Sequence, residues 1–76
     1  MISQCRATQL LNSFCEYCIA NKQYPVYQLF SAFEKNLSHD DLRYVDDNYL
    51  LFVEAGGAAR LAQPPVLEEL RKLSNQ

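Results

Sequence analysis

The residue types that could do chemistry are few: Cys5, Cys15, Cys18, one histidine at His39, and the acid pairs Asp40-Asp41 and Asp46-Asp47. Cys15-Glu16-Tyr17-Cys18 has the Cys-x-x-Cys spacing of thiol redox and zinc sites. A closed zinc site takes four Cys or His ligands, commonly from two chain segments. Cys5 lies roughly 15 Å before Cys15 on a continuous helix and points roughly 140° away from Cys18, at 1.5 Å and 100° per residue. Two thiols and His39 are too few, so no metal and no cofactor is expected. A redox Cys-x-x-Cys is active at a helix N-terminus, where the dipole lowers the thiol pKa. Here the pair falls deep inside a helical pattern, where a cysteine behaves as a small apolar residue. Cys5 falls on the polar side and is the thiol expected to be exposed.

Acid–base and nucleophilic catalysis find no constellation. His39 stands at an expected helix start, with no Ser or Cys elements placing a triad around it. The aspartate pairs lack the glycine and the oxygen-ligand spacing of a calcium loop. Gly56-Gly57 follows a helical pattern and has no lysine placed to meet a phosphate.

The elements that must position these residues are written in apolar spacing. From about residue 3 to 22, Ala7, Leu11, Phe14 and Cys18 form one stripe, with Leu10, Cys15 and Tyr17 at its edges. Pro25 suits a first helical position, and Val26, Leu29, Phe30, Phe33 and Leu37 carry a second helix over 25–37. Ser38-His39-Asp40-Asp41 resembles a capping box with acids at the positive end of the dipole. A third helix is expected over 39–55, stopped by Gly56 in the left-handed C-terminal position. The run Tyr49 to Val53 has β-forming residues, but no strand partner is convincing, and Leu42, Val45, Tyr49, Phe52 and Val53 share one helical stripe. Ala58 to Ala62 reads as a single helical turn. A last helix over 65–74 carries Val66, Leu67, Leu70 and Leu73, with Glu68, Glu69, Arg71 and Lys72 outward.

The 76 residues therefore make a single domain over 1–76, an all-α bundle of three to four short helices. A core this small stabilises weakly, by about 3–5 kcal/mol, and such chains often gain from association. No signal peptide is expected, nor any run long enough to span a bilayer. An odd set of cysteines without framework spacing suits a reducing, cytoplasmic setting.

The formal charge is −2, which disfavours phosphate backbones. Residues 38–55 hold Asp40, Asp41, Asp46, Asp47 and Glu54 against Arg43 alone, so the middle of the chain is acidic. On the expected third helix, Tyr44, Leu51 and Ala55 fall opposite the core stripe, making it apolar on two faces. The expected function is a small non-enzymatic regulator or inhibitor that binds a larger protein, with a homodimer also in view. Tyr44, Leu51 and Ala55 would form its contact, and Asp40, Asp41, Asp46 and Asp47 would steer it to a basic surface. One alternative is a helix-turn-helix nucleic-acid regulator, whose recognition helix would begin with two carboxylates. Another is a thiol-dependent redox or metal-binding protein.

Overall fold

The computed structural model describes residues 2–61, and everything seen in it is helix or short connection. The order is α1 (Gln4–Ala20), α2 (Val26–Glu34), α3 (His39–Asp47) and α4 (Tyr49–Leu61). The all-α bundle read from apolar spacing is what the chain forms. The expected helix over 65–74 lies outside the described residues.

α1 begins where Ser3 stands in extended backbone and its hydroxyl accepts from the Arg6 N–H. It ends at Asn21, whose side-chain amide donates to the Tyr17 carbonyl at 2.9 Å. Buried residues on α1 are Ala7, Leu10, Phe14 and Cys18, so the stripe centres on Leu10, with Leu11 packed at its margin. Pro25 precedes the first turn of α2, where its lack of an N–H leaves nothing unsatisfied. Leu29 and Phe30 form the buried face of α2.

Two features of the third segment depart from the pattern. Residues 39–55 are not one helix, because α3 stops at Asp47 and α4 starts at Tyr49, with Asn48 alone between them. The cause is Asn48, whose side-chain amide donates to the Tyr44 carbonyl at 2.8 Å. Its backbone N–H also turns back to Tyr44 and Val45. An asparagine side chain that takes a backbone carbonyl competes with the helical ladder. Asn21 ends α1 by the same bond.

Gly56 does not stop a helix. α4 runs straight through Gly56-Gly57 to Leu61, absorbing Ala58 to Leu61, and no glycine has positive φ. Gly56 is there because α1 presses against it. A Cβ at this position would sit 2.8 Å from both Cys18 Sγ and Phe14 Cε2. The helices approach so closely that only hydrogen fits. Residues 49–53 are helical, as the shared stripe implied.

The core is aromatic at its centre. Phe14, Cys18, Val45 and Phe52 are fully enclosed. Phe14 meets Phe30 edge-on at 5.8 Å between ring centres and Phe52 at 6.0 Å. Such offset pairs contribute about 0.5–1.5 kcal/mol each beyond area burial. Among the described residues, no buried side-chain nitrogen or oxygen lacks a hydrogen-bond partner.

Candidate functional site

The thiols fall where their helical positions put them. Cys5 is exposed, Cys15 half-buried and Cys18 buried, and none is in a disulfide. Burial pushes the Cys18 thiol up, partly offset by the Arg60 charge. A thiol held protonated inside the α1–α4 contact is a poor nucleophile. Among the described residues, no group of three or more His, Cys, Asp or Glu is placed to hold a metal ion. His39 is exposed at the start of α3.

Two arginines tie the bundle together, and neither drew attention by pattern. Arg60, near the end of α4, reaches the C-terminal end of α1. Its Nε donates to the Cys18 carbonyl at 3.1 Å, and its Nη2 donates to the carbonyls of Asn21, at 2.8 Å, and Tyr24. A cation among the carbonyls of a helix end also complements its dipole. Arg6 of α1 grips Asp41 of α3, with Nη2 donating to Oδ2 at 2.6 Å and Nε near both carboxylate oxygens. Asp41 is therefore not a steering charge. Its carboxylate is largely covered while Arg6 remains half-exposed, and the Arg6 hydrogen bond, with Ser38 adding, holds its pKa below the usual carboxylate range. The Ser38 hydroxyl accepts from the Asp41 N–H, so the cap forms.

The other candidate residues spread over two helices. Asp40, Asp46 and Asp47 are exposed on α3. Tyr44 is half-buried with its ring edge on Phe52, 6.1 Å between centres. Asp40, Arg43, Tyr44 and Asp47 line a groove of about 380 Å³ with Ile2. Asp46 hydrogen-bonds Glu34 at the end of α2. Burial first, then this bond and the Asp46 charge, pushes the Glu34 carboxyl up to about 7.

Leu51 and Ala55 belong to α4, beyond the break at Asn48. They do not share one helix face with Tyr44, contrary to the 7-and-4 spacing. Leu51 instead joins an outward surface that continuous-helix reasoning passed over. Leu50 is 68 % exposed, Leu51 48 % and Leu61 86 %. Gly57 lies between them, and a Cβ there would meet nothing within 4 Å. Leu50, Gly57 and Leu61 are 7 and 4 residues apart. The spacing was legible, but assigning Gly56 as a stop broke the stripe in two.

α4 is thus apolar on both sides. Phe52, Gly56 and Ala59 face the core, while Leu50, Leu51, Ala58 and Leu61 face out. Glu54 is the one charged residue on the outward side. Between α1 and α2, Tyr17, Ala32, Phe33, Asn36 and Leu37 surround a smaller hollow of about 300 Å³. Tyr17 stacks on Phe33 there. None of the described helices is long and apolar enough to cross a membrane. Comparison of the chain with protein-family models, with curated proteins and with solved structures finds no match.

Proposed function

We propose that this chain is a small non-enzymatic protein-binding factor, a regulator or inhibitor that covers part of the surface of a larger protein. The outward face of α4 carries the reading: Leu50, Leu51 and Leu61 stand in solvent on one side of a helix whose other side already fills the core. Large apolar groups gathered on a small surface are characteristic of interaction sites. Ala55 flanks Leu51 at lower relief.

The α3 acids extend the surface. Asp40, Asp46 and Asp47 remain outward, and Tyr44 lines the groove together with Asp40 and Asp47. Rim charges act mainly on the rate of encounter, so they favour a basic partner surface without supplying much of the affinity. That none of the three cysteines is in a disulfide accords with a cytoplasmic setting.

The test is capture of partners from the native host with the full chain, its Leu50→Asp/Leu51→Asp variant and its Asp40→Asn/Asp47→Asn variant. The leucine variant keeps its helicity and loses the captured protein. The aspartate variant still captures it, but associates more slowly and with a weaker salt dependence. An unchanged set of co-purifying proteins from the leucine variant sinks the reading.

A further inference from the structure

The outward side of α4 is apolar at its rim and charged at its middle. At 100° per residue, Leu50, Leu51, Glu54, Gly57, Ala58 and Leu61 occupy roughly 120° of the helix circumference. Glu54 falls inside that sector, roughly 160° from both Phe52 and Gly56 on the core side. It is exposed, and no cation stands within ion-pair reach of it among the described residues. Arg60, the basic residue of α4, is committed to the carbonyls of Cys18, Asn21 and Tyr24. Covering the leucines therefore strips water from a carboxylate, and a carboxylate taken out of water has to be paired.

That requirement separates the occupants. A second copy of the chain lays the same face on itself about a two-fold axis. The stretch from Leu50 to Leu61 has its midpoint between residues 55 and 56, so Glu54 lies about 2 Å from it along the helix. Two carboxylates then come together inside an apolar contact, and like charges placed there repel. We propose that the occupant is an amphipathic helix of another protein, carrying one lysine or arginine at the centre of its apolar stripe. The stripe packs on Leu50, Leu51 and Leu61, and the basic group meets Glu54. At Gly57 a Cβ would touch nothing within 4 Å, and Ala58 beside it is small, so a second helix has room to approach. The contact runs about 16 Å, from Leu50 to Leu61. The inference rests on the partner-binding reading of α4 and gives that partner its chemistry: the leucines supply area, and Glu54 selects who may use it.

Two synthetic helical peptides test this against the full chain. Both carry leucines along one face over about four turns, and they differ only at the centre of that face, lysine in one and glutamate in the other. By fluorescence anisotropy, the lysine peptide binds the unaltered chain several-fold more tightly than the glutamate peptide, and Glu54→Lys reverses the order. Equal affinities, no binding of either, or an order that Glu54→Lys leaves unchanged overturns the proposal. Should Glu54→Lys lose helicity, Glu54→Gln takes its place and abolishes the difference between the peptides. A preference that disappears in Asp40→Asn/Asp47→Asn belongs to α3 instead and refutes the proposal. The unaltered chain sediments as a monomer; a dimer that Leu50→Asp/Leu51→Asp dissociates makes the second copy the occupant and refutes it too. The two readings fail apart from each other. Host capture lost in Leu50→Asp/Leu51→Asp, with both peptides bound alike, keeps the partner site and removes the central cation. Capture unchanged in that variant, with the peptide order reversing at Glu54, removes the partner reading alone.

Discussion

Gly56 and Gly57 are neighbours in sequence and opposites in surroundings. A methyl group at Gly56 would run into Cys18 and Phe14 at 2.8 Å, whereas one at Gly57 would touch nothing. The inner side of α4 is thus determined to the last atom by α1. Its outer side has had no constraint from the rest of the described bundle, yet it carries leucines. A helix selected only to complete the core would put polar residues where Leu50 and Leu61 stand. That difference is the reason to look outside the four helices for what α4 does.

The comparison breaks most sharply at Gly56. Gly56→Ala gains helix propensity of about 1 kcal/mol but overpacks a contact between fully enclosed side chains, which typically costs about 1–3 kcal/mol. The expected net result is a lower midpoint in urea. Adding Cys18→Ala removes the Sγ in the way and should recover part of the loss. If Gly56→Ala alone proves as stable as the parent, the close α1–α4 crossing is not as described.

A smaller effect is expected at Glu34, on the acidic side of the molecule. Its carboxyl sits at about 7 in the folded chain, against an ordinary value near ~4.3. A group whose pKa is raised on folding adds stability below its unfolded pKa, and that stability is lost as pH rises through the folded value. The chain should therefore lose stability from about pH 4.5 to about 7, and Glu34→Gln should flatten that slope. Denaturation midpoints at a series of pH values check this, and an unaltered slope in the variant removes the Glu34–Asp46 pair as its source.

The smallest change belongs to Gly57. With open space around it, Gly57→Ala should stabilise α4 by about 0.5–1 kcal/mol through propensity alone. A loss of stability there would mean that the outer face of α4 is closely covered at that point.

How far the sequence could be read is clear from particular residues. Phe14, Cys18, Leu29, Phe30, Val45 and Phe52 were all placed on apolar stripes, and all are buried. Periodicity reports burial well because it sums over several turns. The break at Asn48 was not legible because one side-chain hydrogen bond leaves no trace in a periodic pattern. Gly56 was misassigned for a related reason: glycine is common both where helices end and where they touch, and only the tertiary contact with Phe14 tells the two apart. The charged ties were hidden too. Arg6 and Asp41 are 35 positions apart, and nothing local marks either as one of a pair. The candidate site suffered in proportion. Its acids lie together on α3, but the Tyr44–Leu51–Ala55 face assumed an unbroken helix.

The fork of Arg60 also sets an order of events during folding. Its three acceptors lie 42, 39 and 36 positions earlier in the chain. Closing loops of that length carries an entropy cost before any contact repays it, and contacts of such separation slow folding. Until α4 arrives, the end of α1 and the turn before α2 are held only by their own local bonds, from the Asn21 N–H to the Cys18 carbonyl and from the Tyr24 N–H to the Asn21 carbonyl. The first half of the chain is therefore expected to flicker as separate helical turns. It becomes one cooperative unit when residue 60 is in reach.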